Sequence, residues 1–334
     1  MSSVVGTISY SVRSGLGILA REFIKNKVVD RILVIKHPRY EPQPYYTKEA
    51  FHEDDFLEGL TTLLLFENAF KRWDLVKKAK DRGIKVVMMQ MYEYTPFPLP
   101  VPADLFIATS DLDQDTYESL YPGCNQVRIN VPVDVPFSLR KKAEVFIHNA
   151  GHGGDGYRNG TPELLQAMTY VKSPIKLLIR AQPDAPQMKS LFARYPRIWK
   201  GGSLSGDKRI ELILRNVPDD ELYSKGDVFI FPEKFNGLSL PLQEAYASGM
   251  GIMCTYRFPM TRWLPKDMMI PFSQTKTRTI MVPIVEEISS PQEIARTIDE
   301  WYGKDISALS FSGKTWAEKN SWSVLKPKYD EVLR

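Results

Sequence analysis

The 334-residue chain is poor in several residue types, and each shortage excludes something. It has two cysteines, Cys124 and Cys254, too few for a disulfide framework, so a reducing, intracellular setting and a soluble cytoplasmic protein are expected. It has four histidines, His37, His52, His148 and His152, and no cluster of His, Cys or carboxylates at the spacing of a zinc site, so no metal is expected. No apolar run reaches the roughly 18 residues that a membrane-spanning helix needs. The opening stretch, MSSVVGTISYSVRSG, lacks the basic and apolar regions of a secretory leader. Charge of one sign is scarce too: 44 Lys and Arg against 40 Asp and Glu leave a net charge of +4. That mild excess permits an anionic ligand without requiring nucleic acid. There is no internal repeat and no low-complexity segment.

What is present suits an ordinary globular protein. Hydrophobic residues make up 43% and charged residues 25%, which excludes a disordered chain, a coiled coil or a collagen-like repeat. At about 150 residues per domain, the length fits two domains. The N-terminal half alternates short apolar runs (VVGTISY, RILVIKH, TTLLLFE, IKVVMMQ, DLFIATS) with helical patterns such as AFKRWDLVKKAKDRG. Continuous apolar strands between amphipathic helices predict a parallel sheet covered on both faces. Residues 136–142 (PFSLRKK) read as a linker, and a second α/β series follows: AEVFIHN, TPELLQAMTYV, IKLLIRA, GDVFIFP, LPLQEAYASG, GIMCTY and SPQEIARTIDEWYG. Ser290 before Pro291 is the expected N-cap of that last helix. The fold class predicted is α/β, two Rossmann-like domains facing a cleft.

Three stretches of the second half can carry chemistry. In residues 226–256, GDVFIFPEKFNGLSLPLQEAYASGMGIMCTY, a buried strand leads through a glycine-containing loop into a helix whose first N–H groups can meet an anion or a hydroxyl. Glu244 sits one turn into that helix, either reaching back to the loop or lying on the surface. In residues 146–167, FIHNAGHGGDGYRNGTPELLQA, five glycines between a strand and a helix let backbone approach a ligand. Arg158 stands just before that helix, where a phosphate would lie, and Arg180 ends the following strand. His152 in the glycine loop is either a donor to a ligand or a capping residue. In the third stretch, NVPDDELYSKGDVFIFP, Asp219 and Asp220 read as a helix start rather than a metal site.

These stretches resemble one family. Pro232, Gly237, Leu240, Pro241, Glu244, Ala245, Ala247 and Gly249 match, in order and without a gap, the pattern P-x-x-x-E-G-F-G-L-P-x-x-E-A-x-A-x-G of family-4-like retaining glycosyltransferases of the GT-B fold, the E-x7-E motif. Arg158, Gly160, Leu164, Leu165 and Ala167 match its R-K-G-x-x-x-L-L-x-A segment, and NVPDDEL and GDVFIFP match its Y-V-P-x-x-E-L and A-D-V-F-V-x-P. The resemblance implies a nucleoside diphosphate sugar donor bound by the second domain, transfer with retention, and no cofactor or metal. It gives Glu244 the ribose hydroxyls and places Gly237, Leu238 and Ser239 against the donor sugar and phosphate. It sets Arg158 on the diphosphate, with Arg180, His152 and Gly153 nearby, and Val217 and Leu222 at the base. The chain departs from the pattern at Asn236, where the family has its first glutamate, at Asn159, where it has a lysine, and at Ser239, where it has a glycine. An amide at Asn236 can bond a hydroxyl but carries no charge. Together the matches cover most of residues 144–334 and only loosely the first half.

In the first half, Gly15 and Gly17 follow the first strand and would face the donor phosphates in such a fold, while Glu67 and Glu93 at strand ends are acceptor-side candidates. The domains expected are 1–138 for the acceptor, 139–310 for the nucleotide sugar, and a tail, 311–334, crossing back to the first domain. The tail's Trp316, Trp322 and Tyr329 are then structural. The favoured acceptor is a saccharide or glycoconjugate. The lysine- and arginine-bearing runs 25–40 and 70–82 leave a modified DNA base as a second possibility, as in phage DNA glycosyltransferases. The two asparagines leave open a catalytically degenerate sugar-nucleotide binder or structural protein, and an epimerase of the same fold is a further alternative.

Overall fold

A computed structural model describes residues 3–12, 14–36, 53–67, 72–151, 157–182, 199–200, 203–204 and 206–334. The chain divides into two compact units. Unit 1 comprises Met1–Pro132, Thr279–Pro283 and Asn320–Arg334; unit 2 comprises Val133–Arg278 and Ile284–Lys319.

In unit 1, strands β1 (Val5–Tyr10), β2 (Arg31–Ile35), β3 (Thr62–Phe66), β4 (Lys85–Met89), β5 (Leu105–Ala108) and β6 (Gln126–Arg128) form one sheet in the order β2-β1-β3-β4-β5-β6. Every pairing is parallel. The connecting helices are α1 (Gly15–Lys25), α2 (Glu53–Phe56), α3 (Trp73–Asp81) and α4 (Asp111–Leu120). All of β3 and β5 is buried, which is why these strands read as unbroken apolar runs rather than alternating ones. On one face Ile8, Leu63, Leu65, Val86 and Met88 join a core with Leu75, Val76 and Ala79 of α3. Ser110 caps α4 by accepting from the Asp113 N–H, so Asp111 and Asp113 lie in the first turn of a helix.

Unit 2 repeats the plan. Strands β7 (Val145–Gly151), β8 (Lys176–Ala181), β11 (Ile210–Leu214), β12 (Val228–Phe231), β13 (Gly251–Thr255) and β14 (Met269–Ile270) form a second all-parallel sheet, ordered β11-β8-β7-β12-β13-β14. Two small two-stranded sheets accompany it: β9 (Trp199–Lys200) with β10 (Ser203–Leu204), and β15 (Gln274–Thr279) with β16 (Pro283–Ile288). The helices of this half are α5 (Thr161–Ala167), α6 (Leu240–Ala247), α7 (Pro291–Trp301) and α8 (Ser307–Lys319). Ser290 caps α7 through the Glu293 N–H, as expected. In each unit the sheet order reverses once, between β1 and β3 and between β7 and β12. In open α/β sheets the crevice at such a switch point is where ligands bind.

Three features differ from the sequence reading. Residues 136–142 are not a loose linker: the Ser138 N–H donates to Ser248 O, and the buried Arg140 guanidinium donates to Gly226 O at 2.6 Å and Tyr223 O at 2.8 Å. Strand β11 and the β15–β16 pair were not anticipated. The tail is two helices rather than one, α8 and α9 (Trp322–Leu333), the first counted with unit 2 and the second with unit 1.

Within unit 1, the Thr62 hydroxyl donates to Leu333 O at 2.7 Å and the Tyr329 hydroxyl to Asn130 O at 3.0 Å. Phe23 meets the edges of Trp322 and Tyr329, with ring centroids 5.2 and 5.0 Å apart. Trp316 stays in unit 2, where it lies against Trp263 and Tyr246.

Candidate functional site

At the unit 2 switch point residues 157–160, which lead into α5, meet the loop after β12. Gly160 has φ +71°, and a Cβ there would lie 2.1 Å from Pro232 O. Only glycine allows both the left-handed backbone and that approach, so this residue locks the two loops together. The Lys234 N–H then donates to Arg158 O at 2.9 Å, and Arg158 Nε donates to Phe235 O at 3.1 Å. The Arg158 guanidinium carbon lies 4.9 Å from the centre of the Phe235 ring, within cation–π range. Asn159, at the family's lysine position, donates to Ala150 O at 3.1 Å and so ties the segment to the end of β7.

Asn236 is engaged in the turn before α6. Its Nδ2 donates to Glu233 Oε2 at 3.0 Å, and its Oδ1 accepts from the Ser239 N–H at 2.9 Å. A glutamate here could not donate to Glu233 and would set two carboxylates side by side; the amide does both jobs. Glu233 in turn pairs with Arg257, both side chains at most 1% exposed, and Arg257 also donates to Asn236 O at 2.6 Å. Ser239 follows with φ +47° and is 1% exposed, its hydroxyl without a hydrogen-bond partner among the described residues. The glycine of the family pattern avoids that left-handed strain; here a serine bears it. Gly237 and Leu238 are buried in the same turn.

Glu244 lies on α6 and is half-buried; its Oε2 accepts from the Tyr223 hydroxyl at 2.7 Å. Tyr223 is itself 5% exposed. Burial, followed by the charge of Glu244, raises the phenol pKa well above its usual value, while the charge of Arg180 opposes the rise. Tyr223 therefore keeps its proton and acts as a donor. Arg180, 5% exposed, donates to Glu221 O at 3.3 Å, and its Nε and Nη1 meet no acceptor among the described residues. Its pKa is lowered by burial first, with Arg215 adding to the effect and Tyr223 and Glu221 opposing it. A buried guanidinium left short of acceptors costs stability unless a ligand oxygen completes it. Val217 is buried beside the short 3-10 turn Asp219–Glu221, and Leu222 is packed partly against the unit 2 core.

In unit 1, Gly15 and Gly17 open α1, and Ser14 caps it by accepting from the Gly17 N–H at 3.2 Å. A Cβ on Gly17 would lie 2.0 Å from Val12 O, whereas Gly15 has open space around it. Glu67 follows β3 with φ +57° and raises the Tyr10 pKa, a smaller effect there than burial. Glu93 is 1% exposed and lies near Asp113, whose carboxyl burial pushes up to about 6, with Glu93 contributing to the rise. Asp113 itself is structural, accepting from the Tyr92 N–H at 2.8 Å and the Thr109 hydroxyl at 2.7 Å. His152 and Gly153 lie outside the described residues.

Sequence reasoning passed over Glu233, Arg257, Tyr223 and Asn149. A usable signal existed for some of them. Asn149 and Arg257 stand at or just beyond the C-terminal ends of buried parallel strands, where side chains enter the crevice. Both cysteines are free, and burial pushes the Cys254 thiol up to about 12, so it is no nucleophile. Among the described residues no group of three His, Cys, Asp or Glu is placed to hold a metal ion, and no helix is long and apolar enough to cross a membrane.

Solved structures share this architecture over the whole chain. HepE of Anabaena, in complex with UDP and glucose, superposes with a TM-score of 0.71 at 11% identity, covering 99% of both chains. The chain has the GT-B fold. Sucrose-phosphate synthase from Thermosynechococcus elongatus gives 0.69 at 12% identity, over 99% of this chain and 98% of that one. A UDP-forming α,α-trehalose-phosphate synthase from Burkholderia xenovorans gives 0.67 at 12%, over 100% and 99%. No protein-family model matches the chain, and no curated protein sequence does.

Proposed function

We propose that the protein is a glycosyltransferase that moves a sugar from a nucleoside diphosphate sugar to an acceptor hydroxyl, with retention at the anomeric carbon and without a metal ion. The observation that carries this is local to unit 2. The Gly160–Pro232 lock sets Arg158 beside the turn that opens α6, at the sheet's switch point, and Glu244 follows on that helix. Such a crevice accommodates a nucleotide: a guanidinium for the diphosphate, a carboxylate for ribose hydroxyls, and the buried turn Gly237–Ser239 for the sugar. The fold is that of structures whose descriptions name UDP, glucose and UDP-forming synthesis.

In the reaction the bond from the anomeric carbon to the diphosphate oxygen breaks, a bond to the acceptor oxygen forms, and the acceptor's hydroxyl proton passes to the departing diphosphate oxygen. Charge develops on the departing diphosphate, and Arg158, assisted by Arg180, offsets it. Asn236, which bonds Glu233 and the Ser239 N–H, shapes the sugar's turn rather than supplying charge. The acceptor is a saccharide or glycoconjugate, with Glu67 of unit 1 as its candidate contact; Glu93, 1% exposed, is too buried to meet it. The test is donor turnover by purified protein over a panel of UDP-, GDP- and ADP-sugars. Glu244→Ala and Arg158→Ala should each lower turnover by about two orders of magnitude or more with the fold intact. Full turnover in both variants would refute the site.

A further inference from the structure

One interaction at this site has no counterpart in the sequence motifs. The Tyr223 hydroxyl donates to Glu244 Oε2 at 2.7 Å. Two separate elements meet there: the segment before β12 and α6. Tyr223 is firmly seated. Its ring packs edge-on against Phe229 with centroids 5.9 Å apart, and its carbonyl accepts from the buried Arg140 guanidinium at 2.8 Å.

We propose that Tyr223 is a positioning residue, which orients the Glu244 carboxylate toward the ribose hydroxyls of the donor. A glutamate on a helix has three side-chain torsions, and a half-buried one pays rotamer entropy each time a ligand fixes it. A hydrogen bond from a rigid, buried phenol removes that cost before the donor arrives. The phenol never ionises in the working range, so it donates at every relevant pH.

This rests on the reading of Glu244 as the ribose ligand, and the test separates the two. UDP, GDP and ADP are each titrated beside the 2′,3′-dideoxy form against the wild type, Tyr223→Phe and Glu244→Ala. The phenylalanine keeps the ring and removes only the donor. The wild type should prefer the ribose form by 10-fold or more for the base it accepts. Tyr223→Phe should cut that preference to about 2- or 3-fold while leaving affinity for the dideoxy form unchanged, and Glu244→Ala should abolish it. If Glu244→Ala keeps the preference, the ribose reading fails and the positioning role falls with it. If Glu244→Ala abolishes it but Tyr223→Phe does not reduce it, the ribose reading stands and the positioning role is wrong. Equal weakening of both nucleotide forms in Tyr223→Phe would show a merely structural tyrosine. No binding of any of the three nucleotides to the wild type would overturn both ideas.

Discussion

The carboxylate of Glu233 and the guanidinium of Arg257 face each other out of reach of water, at 0% and 1% exposure, directly beneath the turn that carries Asn236. The pair is bound at both ends to that turn, through Asn236 Nδ2 and Asn236 O. Removing one partner leaves the other charge buried and alone, which costs about 3–5 kcal/mol. Arg257→Ala should therefore lose stability on that scale in urea unfolding, while replacing both residues with apolar ones of similar volume should lose much less. A double variant as unstable as the single one would contradict this account.

Gly160 holds the two loops of the site in contact. An alanine would need φ near +71° and would place its Cβ 2.1 Å from Pro232 O. Left-handed strain and overpacking each cost about 1–3 kcal/mol, so Gly160→Ala should destabilise by roughly 3 kcal/mol or shift the Arg158 segment. Thermal unfolding with and without a nucleoside diphosphate reads both effects. Wild-type stability together with unchanged nucleotide affinity would show that the lock is not needed.

His148 makes the stability of the protein pH-dependent. It is fully buried, with Nδ1–H donating to Ile230 O at 2.9 Å and Nε2 accepting from the Thr161 hydroxyl at 2.8 Å. Burial lowers its pKa from 6.5 to about 4. Between those values the unfolded chain takes up a proton that the native state refuses. This stabilisation is thus complete above pH 6.5 and is lost as pH falls toward 4, by about 3 kcal/mol at 1.36 kcal/mol per pH unit. The stability gap between wild type and His148→Gln should shrink by that amount from pH 7 to pH 4. A gap constant across that range would rule out His148 as its source.

How much of this was legible in the sequence varies by element. The buried strands β3, β5, β12 and β13 could be read directly, because a parallel strand covered on both faces needs apolar residues at every position. The helix start at Ser290 was also legible, since an N-cap acts over three residues. Strand β11 was missed because its pattern is mixed: only Ile210 is buried, with Glu211 exposed and the rest half-buried. The tail's division into α8 and α9 was hidden by continuous helical periodicity, and the aromatics of α9 found partners about 300 residues away, as Trp322 and Tyr329 did at Phe23.

At the site, spacing within one segment was enough to single out Arg158, Gly160 and Glu244, since a loop and the first turn of its helix form a local unit. What the local pattern did not reveal is what those residues lean on. Asn236 departs from the pattern that the chain resembles, and only its neighbour Glu233 and the distant Arg257 give that departure a physical reason. The two α/β units and the sheet chemistry of the chain follow from its amino-acid sequence, because period and burial are written along the chain. The partners of Glu244, Glu233 and Gly160 were decided by tertiary structure alone. They come from strands and loops that meet only when the sheet order reverses between β7 and β12.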